Sequence, residues 1–157
     1  MSEELDKLDR KILAQLIENP KLMSKQISKK LRIHPNTLLQ RVKRMEKEGI
    51  ITGYTTIVDH GKVENKLRAM IFLNVNMEKG WEAYLRPLAK LPEIVSFILI
   101  TGEHDAMLTA RVDNELHLAN LLRQLQKNRV VTKTSTQLIL DYYKRDHEYN
   151  PFAHELR

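Results

Sequence analysis

Residues 24–53 read SKQISKKLRIHPNTLLQRVKRMEKEGIITG, two short helical patterns joined by a tight turn and followed by a β-rich stretch. Ile27 and Leu31 put an apolar stripe on the first pattern, and Leu38, Val42 and Met45 put one on the second, at the three- and four-residue steps of a helix face. Each stripe needs a partner. The upstream segment LDKLDRKILAQLI, residues 5–17, supplies it, since Leu5, Leu8, Ile12, Leu13 and Leu16 recur at the same steps. Three helices around one small core are therefore expected. The break before the third falls at Ile33-His34-Pro35, because proline fits the first helical turn and disfavours helix in the residue before it. Gly49 stops that helix, and ITGYTTIVD, residues 51–59, is expected to follow as a strand that serves as wing or hinge.

Asn36, Thr37, Gln40, Arg41 and Arg44 are left to point outward from the third helix, with 37, 40, 41 and 44 expected on one face. Arginine can pair bidentately with guanine, asparagine and glutamine with adenine, and a threonine methyl can touch thymine. Asn36, Thr37, Gln40 and Arg41 are accordingly expected to read bases, and Lys25, Lys29, Lys30 and Arg44 to hold phosphates. His34 is expected as a helix cap or a phosphate contact. Residues 21–45 hold eight Lys or Arg and no acid, the one-signed field that phosphate binding needs. A solvated basic face on an ordinary three-helix bundle would explain the charge alone. Turn, stop, β-rich continuation and outward residue types together favour a DNA-binding winged helix-turn-helix.

The 157 residues, 42% of them apolar, suffice for one ordinary domain or two small ones. The net charge of +6 is uneven: residues 1–63 carry 13 basic and 8 acidic groups, and residues 64–157 carry 13 and 12. A polyanion-binding surface therefore belongs to the front half. No cysteine is present, which excludes a disulfide or thiolate site, and no N-terminal apolar segment resembles a signal peptide. A cytoplasmic location is expected. The longest nearly apolar run, IVSFILI at 94–100, is too short for a bilayer and reads as a buried strand.

From residue 67 the pattern changes to LRAMIFLNV, WEAYLRPLAKL, IVSFILIT, DAMLTARV, ELHLANLLRQLQKN and VTKTSTQLILDYY, a βαββαβ order. Ala69, Ile71, Leu73 and Val75 alternate with other positions, as do Leu108, Ala110 and Val112, so one sheet face is expected under helices. Trp81, Leu85 and Leu88 on one helix, and Leu118, Leu121, Leu122 and Leu125 on the other, would cover it in a ferredoxin-like fold. The fold class is thus α+β. A winged helix-turn-helix over residues 1–52 is followed by a hinge strand and linker over 53–66, a βαββαβ domain over 67–144 and a tail over 145–157. Met70, Phe72, Phe97 or Ile98, Ile139 and Tyr143 remain for the other sheet face, where a second subunit would bury them. The tail, with Tyr149, Phe152 and Leu156 as apolar anchors, could lie across that face or join dimers. Its sequence does not choose.

TGEHDA, residues 101–106, reads first as a hairpin, since Gly102 can take a positive φ and Asp105 can bond its own turn. As a ligand site, its backbone groups and Asp105 would hold a small molecule's ammonium, with Thr134 and Thr136 on one face of the last strand to help. The six histidines never pair at metal-ligand spacing, and no phosphate loop or nucleophile elbow occurs. Neither a cofactor, a metal nor a catalytic residue is expected.

Through LDRKIL (8–13), IHPNTLLQRVKRMEKEGIITGY (33–54), Gly102-x-x-Asp105 and Val131-x-x-Thr134-x-Thr136, the chain resembles the Lrp/AsnC (feast/famine) transcription regulators of bacteria and archaea. The resemblance runs from Leu5 to about Lys144. It implies a RAM-type βαββαβ domain that binds an effector and builds dimers, often octamers or similar rings, on a pseudopalindromic site in double-stranded DNA. It also implies nucleoid association without a membrane, and an amino-acid effector near Gly102, His104 and Asp105 at an interface between dimers. This chain departs from the family pattern at His104, commonly Tyr, at His34, usually Ser, and at Asn128-Arg129, usually Pro-Gly. Those departures bear on the effector more than on DNA. Two other readings suit the same architecture: an enzyme like the siroheme decarboxylases, which would need His and Arg converging on a large apolar cleft, and a metabolite sensor that no longer regulates DNA. The basic third helix favours the regulator.

Overall fold

Asp6 opens the first helix, α1 (Lys7–Glu18), by accepting a 2.8 Å bond from the Asp9 N–H, while the Asp9 carboxylate accepts one of 3.1 Å from the Asp6 N–H. The result is a capping box closed by two aspartates. In the computed structural model, which describes residues 4–21 and 24–156, α2 (Ser24–Leu31) and α3 (Pro35–Lys47) follow. Ile12, Leu13, Ile27, Leu38 and Met45 are buried between the three, with Leu5, Leu8, Leu16, Leu31, Ile33 and Val42 packed around them. The apolar stripes read from spacing meet in one core.

The turn between α2 and α3 is tight because Ile33 N–H reaches back to the Ser28 carbonyl at 3.0 Å and Arg32 N–H to that of Lys29 at 3.3 Å. This closure places Arg32 at a φ of 55°, a left-handed conformation that costs a residue with a Cβ. α3 ends on the same double bond, Ile50 N–H to the Met45 carbonyl at 2.9 Å and Gly49 N–H to that of Glu46 at 3.1 Å, but here a glycine takes the φ of 72°. The strand expected over 51–59 is not formed, and residues 52–59 carry no regular structure. A strand exists only through a ladder, and every strand of the described residues pairs within the sheet of the second half. Tyr54 pins the start of this segment by donating its hydroxyl to Glu46 at 2.8 Å. A single helical turn, α4 (His60–Val63), capped by Asp59, follows.

The second unit, Val58–Tyr142, is built on β1 (Leu67–Val75), β2 (Ile94–Leu99), β3 (Ala106–Val112) and β4 (Val131–Leu138), in sheet order β2-β3-β1-β4 with all neighbours antiparallel. Alternation settles its faces. Ala69, Ile71, Leu73 and Val75 with Ala106, Leu108, Ala110 and Val112 are buried against Leu85, Leu88, Leu121 and Leu125, so the two strands put about half their residues into one core. α6 (Glu115–Gln126), capped by Asn114, forms as expected. The other helix is shorter than the segment 81–91. Only α5 (Glu82–Leu85) is α-helical, followed by a 3-10 turn over Leu88–Lys90, because Pro87 brings no N–H for the helical ladder. β4 stops at Leu138 rather than continuing to 143.

The opposite sheet face carries Ile98, Met107 and Phe72 in one row across three strands, with Ser135 next on β4. Phe97 is not part of it. Its register partner is Leu108, so it faces the helices, and Ile98, 46% exposed, takes the outer position. Ile139 is half-buried beyond the strand end, held by its N–H on the Arg68 carbonyl at 2.8 Å, and Tyr143 is fully exposed. The residues after Tyr142 pack with those before Val58. Phe152 joins the three-helix core, and the Asn150 amide donates to the Ala14 carbonyl at 3.1 Å.

Candidate functional site

α3 owes its direction to His34 and Pro35. The His34 Nδ1 accepts the Asn36 N–H at 3.2 Å, and Pro35 occupies the first helical position where no N–H is needed. His34 is therefore seen as a cap. From there the exposed residues are Asn36, Leu39, Gln40, Lys43, Glu46 and Lys47, and Asn36, Gln40, Lys43 and Lys47 lie on one line at i, i+4, i+7 and i+11. Leu38 and Met45 are buried on the opposite side. Lys43 and Lys47 were not among the residues expected to touch DNA, yet they share the outward line with Asn36 and Gln40.

Arg41 and Arg44 depart from the expected reading face. Arg41 Nη1 lies 2.5 Å from Asp6 Oδ2 and 2.8 Å from Asp9 Oδ1, and Arg44 Nη2 lies 2.5 Å from Asp9 Oδ2. Asp9 is fully buried, and both arginine side chains are half-buried. The reason is angular: positions 41 and 44 sit on the flank of α3 that turns toward α1, about 100° from the outward line. Two charged clamps thus tie α3 to the start of α1. The Arg41 guanidinium holds the Asp6 carboxyl down at about 2. Thr37, half-buried, lies on the same flank. On α2, Lys25 and Lys29 are exposed, and Lys30 donates to the Gln15 side chain at 3.3 Å, which links α2 to α1. The exposed cations of α2, the turn and α3 include Lys25, Lys29, Lys30 and Arg32 with Lys43 and Lys47.

The expected ligand residues fall in two places. Gly102 adopts a φ of 116° with open space where a Cβ would stand, so its backbone, not its size, demands glycine. Asp105 closes the turn onto β1. Its carboxylate accepts the Val75 N–H at 2.7 Å, and its own N–H donates to the Leu73 carbonyl at 3.0 Å. His104 Nδ1 is 3.1 Å from the Asn74 side-chain oxygen, its ring centroid is 4.9 Å from that of Phe72, and the Asn74 amide donates to the Glu103 carbonyl at 2.9 Å. Thr134 and Thr136 are elsewhere. They pair with Leu73 and Ile71, whose side chains face the helices, and Thr134 accepts from Gln126 of α6 at 3.0 Å. The open-face neighbours of the turn are Phe72, already read as facing that side but not as a neighbour of the turn, and Asn74, which pattern reading passed over. The alternation of β1 is the signal that could have found them.

Three comparisons bear on this site. Residues 5–52 match a family model for winged helix-turn-helix DNA-binding, and residues 68–149 match one for the Lrp/AsnC ligand binding domain. An HTH-type transcriptional regulator of Pyrococcus furiosus is 30% identical over 148 residues, 94% of this chain and 99% of that protein. The leucine-responsive regulatory protein of Escherichia coli is 28% identical, over 91% of this chain and 89% of its own. Among solved structures, a transcriptional regulator of Neisseria meningitidis in complex with L-methionine superposes with a TM-score of 0.82 at 28% identity, covering 90% of this chain and 94% of that one.

Proposed function

The chain belongs to the Lrp/AsnC family of helix-turn-helix transcription regulators, and from that premise we propose that its dimer sets two copies of α3 into successive major grooves of a pseudopalindromic double-stranded site, about 34 Å apart. The observation that carries this reading is the outward line of α3, where amide side chains able to read adenine stand at 36 and 40 and cations able to hold phosphate stand at 43 and 47. Asn36 and Gln40 read bases, with Thr37 at the edge of the contact. Lys25, Lys29 and Lys43 hold phosphates, and Lys30 contributes as it swings between Gln15 and the duplex. Arg41 and Arg44 orient the helix through Asp9 rather than reading sequence themselves. His34 fixes where the helix begins.

The α/β unit assembles subunits and senses a ligand. Ile98, Met107 and Phe72 form an apolar row that a second copy buries, and dimers join into octamers or similar rings along the nucleoid. The turn at Gly102, His104 and Asp105, with Asn74 beside it, takes an amino acid. Support comes from the relative crystallised with L-methionine and from a turn that offers backbone groups and a carboxylate together. Thr134 and Thr136 act from beneath the sheet, by positioning β4. The cleft of about 250 Å³ between α5 and β2, lined by Trp81, Glu82, Leu85, Arg86, Ala89, Phe97 and Leu99, offers no histidine beside Arg86, so it does not favour a siroheme-type site there.

Binding to a duplex across a salt series tests the interface. Lys43→Ala should weaken every sequence alike and reduce the logarithmic salt slope by about one unit. A slope that stays at the wild-type value would remove Lys43 from the interface.

A further inference from the structure

We propose that residues 143–156 form a strap through which the α/β unit governs the DNA-binding unit, docking on α1 by Asn150 and Phe152. The segment is held at both ends. At its start, Arg68 of β1 accepts the Ile139 N–H on its carbonyl at 2.8 Å, donates to the Leu140 carbonyl at 3.1 Å and lies over the Tyr142 ring at 5.2 Å. At its end, Phe152 packs into the core that contains Ile12, Leu13 and Met45, and Asn150 bridges the Ala14 carbonyl at 3.1 Å and the Phe152 N–H at 3.0 Å. Between the two lie a fully exposed Tyr143 and one 3-10 turn, Asp146–Glu148. Residues 150–156 fall outside both matched family regions, which end at 52 and 149.

The docked end, with its half-buried Phe152 ring and its side-chain bond from Asn150 to a carbonyl, is a small interface that a docked and a released state of the segment would share between them. Its route to the DNA face is physical. α1 carries Asp9, and Asp9 carries Arg41 and Arg44 of α3, so loosening α1 releases the clamp that orients the outward line. The start of the strap hangs from β1, the strand that also holds Asp105 of the ligand turn through Val75. A change at that strand therefore has a covalent path to α1. This inference rests on α3 being the DNA-facing helix, and its test separates the two.

The experiment uses the full chain, with hydrogen exchange of α1 measured without DNA and affinity for a random-sequence duplex measured at low salt. Phe152→Ala should speed exchange in α1 by about tenfold while leaving α6 unchanged, and weaken duplex binding by about fivefold or more. Phe152→Leu should recover most of both. Arg68→Ala, which removes the side-chain part of the far anchor (the bond to the Leu140 carbonyl and the stacking on Tyr142) and leaves the backbone bond to Ile139, should shift α1 exchange and duplex affinity in the same direction. Unchanged α1 exchange in Phe152→Ala would show that the strap does not dock, and wild-type α1 exchange in Arg68→Ala would show that it does not couple. Failure of the wild-type chain to bind any duplex would overturn the DNA reading, while α1 exchange would still decide the strap.

Discussion

Asp9 shows how a single buried carboxylate can set a whole interface. It accepts from Arg41, from Arg44 and from the Asp6 N–H, and removing its charge weakens the hold on both guanidinium groups, although Arg41 keeps its bond to Asp6. Asp9→Asn should lower the stability of the DNA-binding unit by about 2–3 kcal/mol, the range for hydrogen bonds to charged groups, as read from the urea midpoint. Arg32 offers the opposite case. Its φ of 55° makes Arg32→Gly an expected gain of about 0.5–1 kcal/mol, also by urea denaturation. Helical spacing could not assign Arg41 and Arg44, because it places residues on a wheel without saying what lies across from them. Their acid partners are 32 to 35 positions earlier in the chain. One hint was present, since Arg41 follows Leu38 by three and precedes Met45 by four, which puts it at the border of the buried stripe.

At the scale of elements, periodicity was a good guide wherever a face is buried within this chain. α1, α3, β1 and β3 all follow it, and the register of the sheet follows from alternation. It failed where a local breaker or a missing partner intervened. Pro87 cuts the first crossover helix to α5 and a 3-10 turn, and the β-rich residues 51–59 pair with no strand among the described residues. α6 carries a feature that spacing did not show: His117 Nε2 lies 3.0 Å from Glu93, and Nδ1 lies 3.0 Å from Asp113, which Lys66 also approaches at 3.6 Å. The bonds to Glu93 and then Asp113 raise the imidazole pKa above its usual 6.5. Because the folded value is the higher one, the stabilisation from charged His117 is complete below 6.5 and is lost as pH rises through the raised folded value. Glu93 and Asp113 are both held below their usual values by His117, so their share is present above the carboxylate range and is lost on acidification. Exchange protection at the start of α6 should therefore peak in mildly acidic solution and fall toward alkaline pH. His117→Gln should flatten that fall, and an unchanged profile would show that other groups set it.

For the whole molecule, the two-part plan and the class of each part could be read before any coordinates: a basic helical front and a βαββαβ back. The return of the chain end to the front unit could not, because Tyr149, Phe152 and Leu156 are three apolar residues without period in a polar segment, equally suited to several surfaces. The division of the expected ligand residues between the two faces of the sheet was hidden for a related reason. Gly102, Asp105, Thr134 and Thr136 were grouped by motif, and only strand register tells which side of the sheet each one meets. A line of support runs from the chain end through α1 and Asp9 to α3, with the residues proposed to read bases on its far side. The most direct test is a selection of bound duplexes from a random pool, run in parallel for the wild-type chain, Gln40→Ala and Arg41→Lys. The wild type should yield a pseudopalindrome with half-sites about one helical turn apart. Gln40→Ala should lose the preference at one position in each half-site, and Arg41→Lys should keep the wild-type consensus at reduced affinity. A consensus that is unaltered by Gln40→Ala but rewritten by Arg41→Lys would contradict the assignment of reading and support on α3.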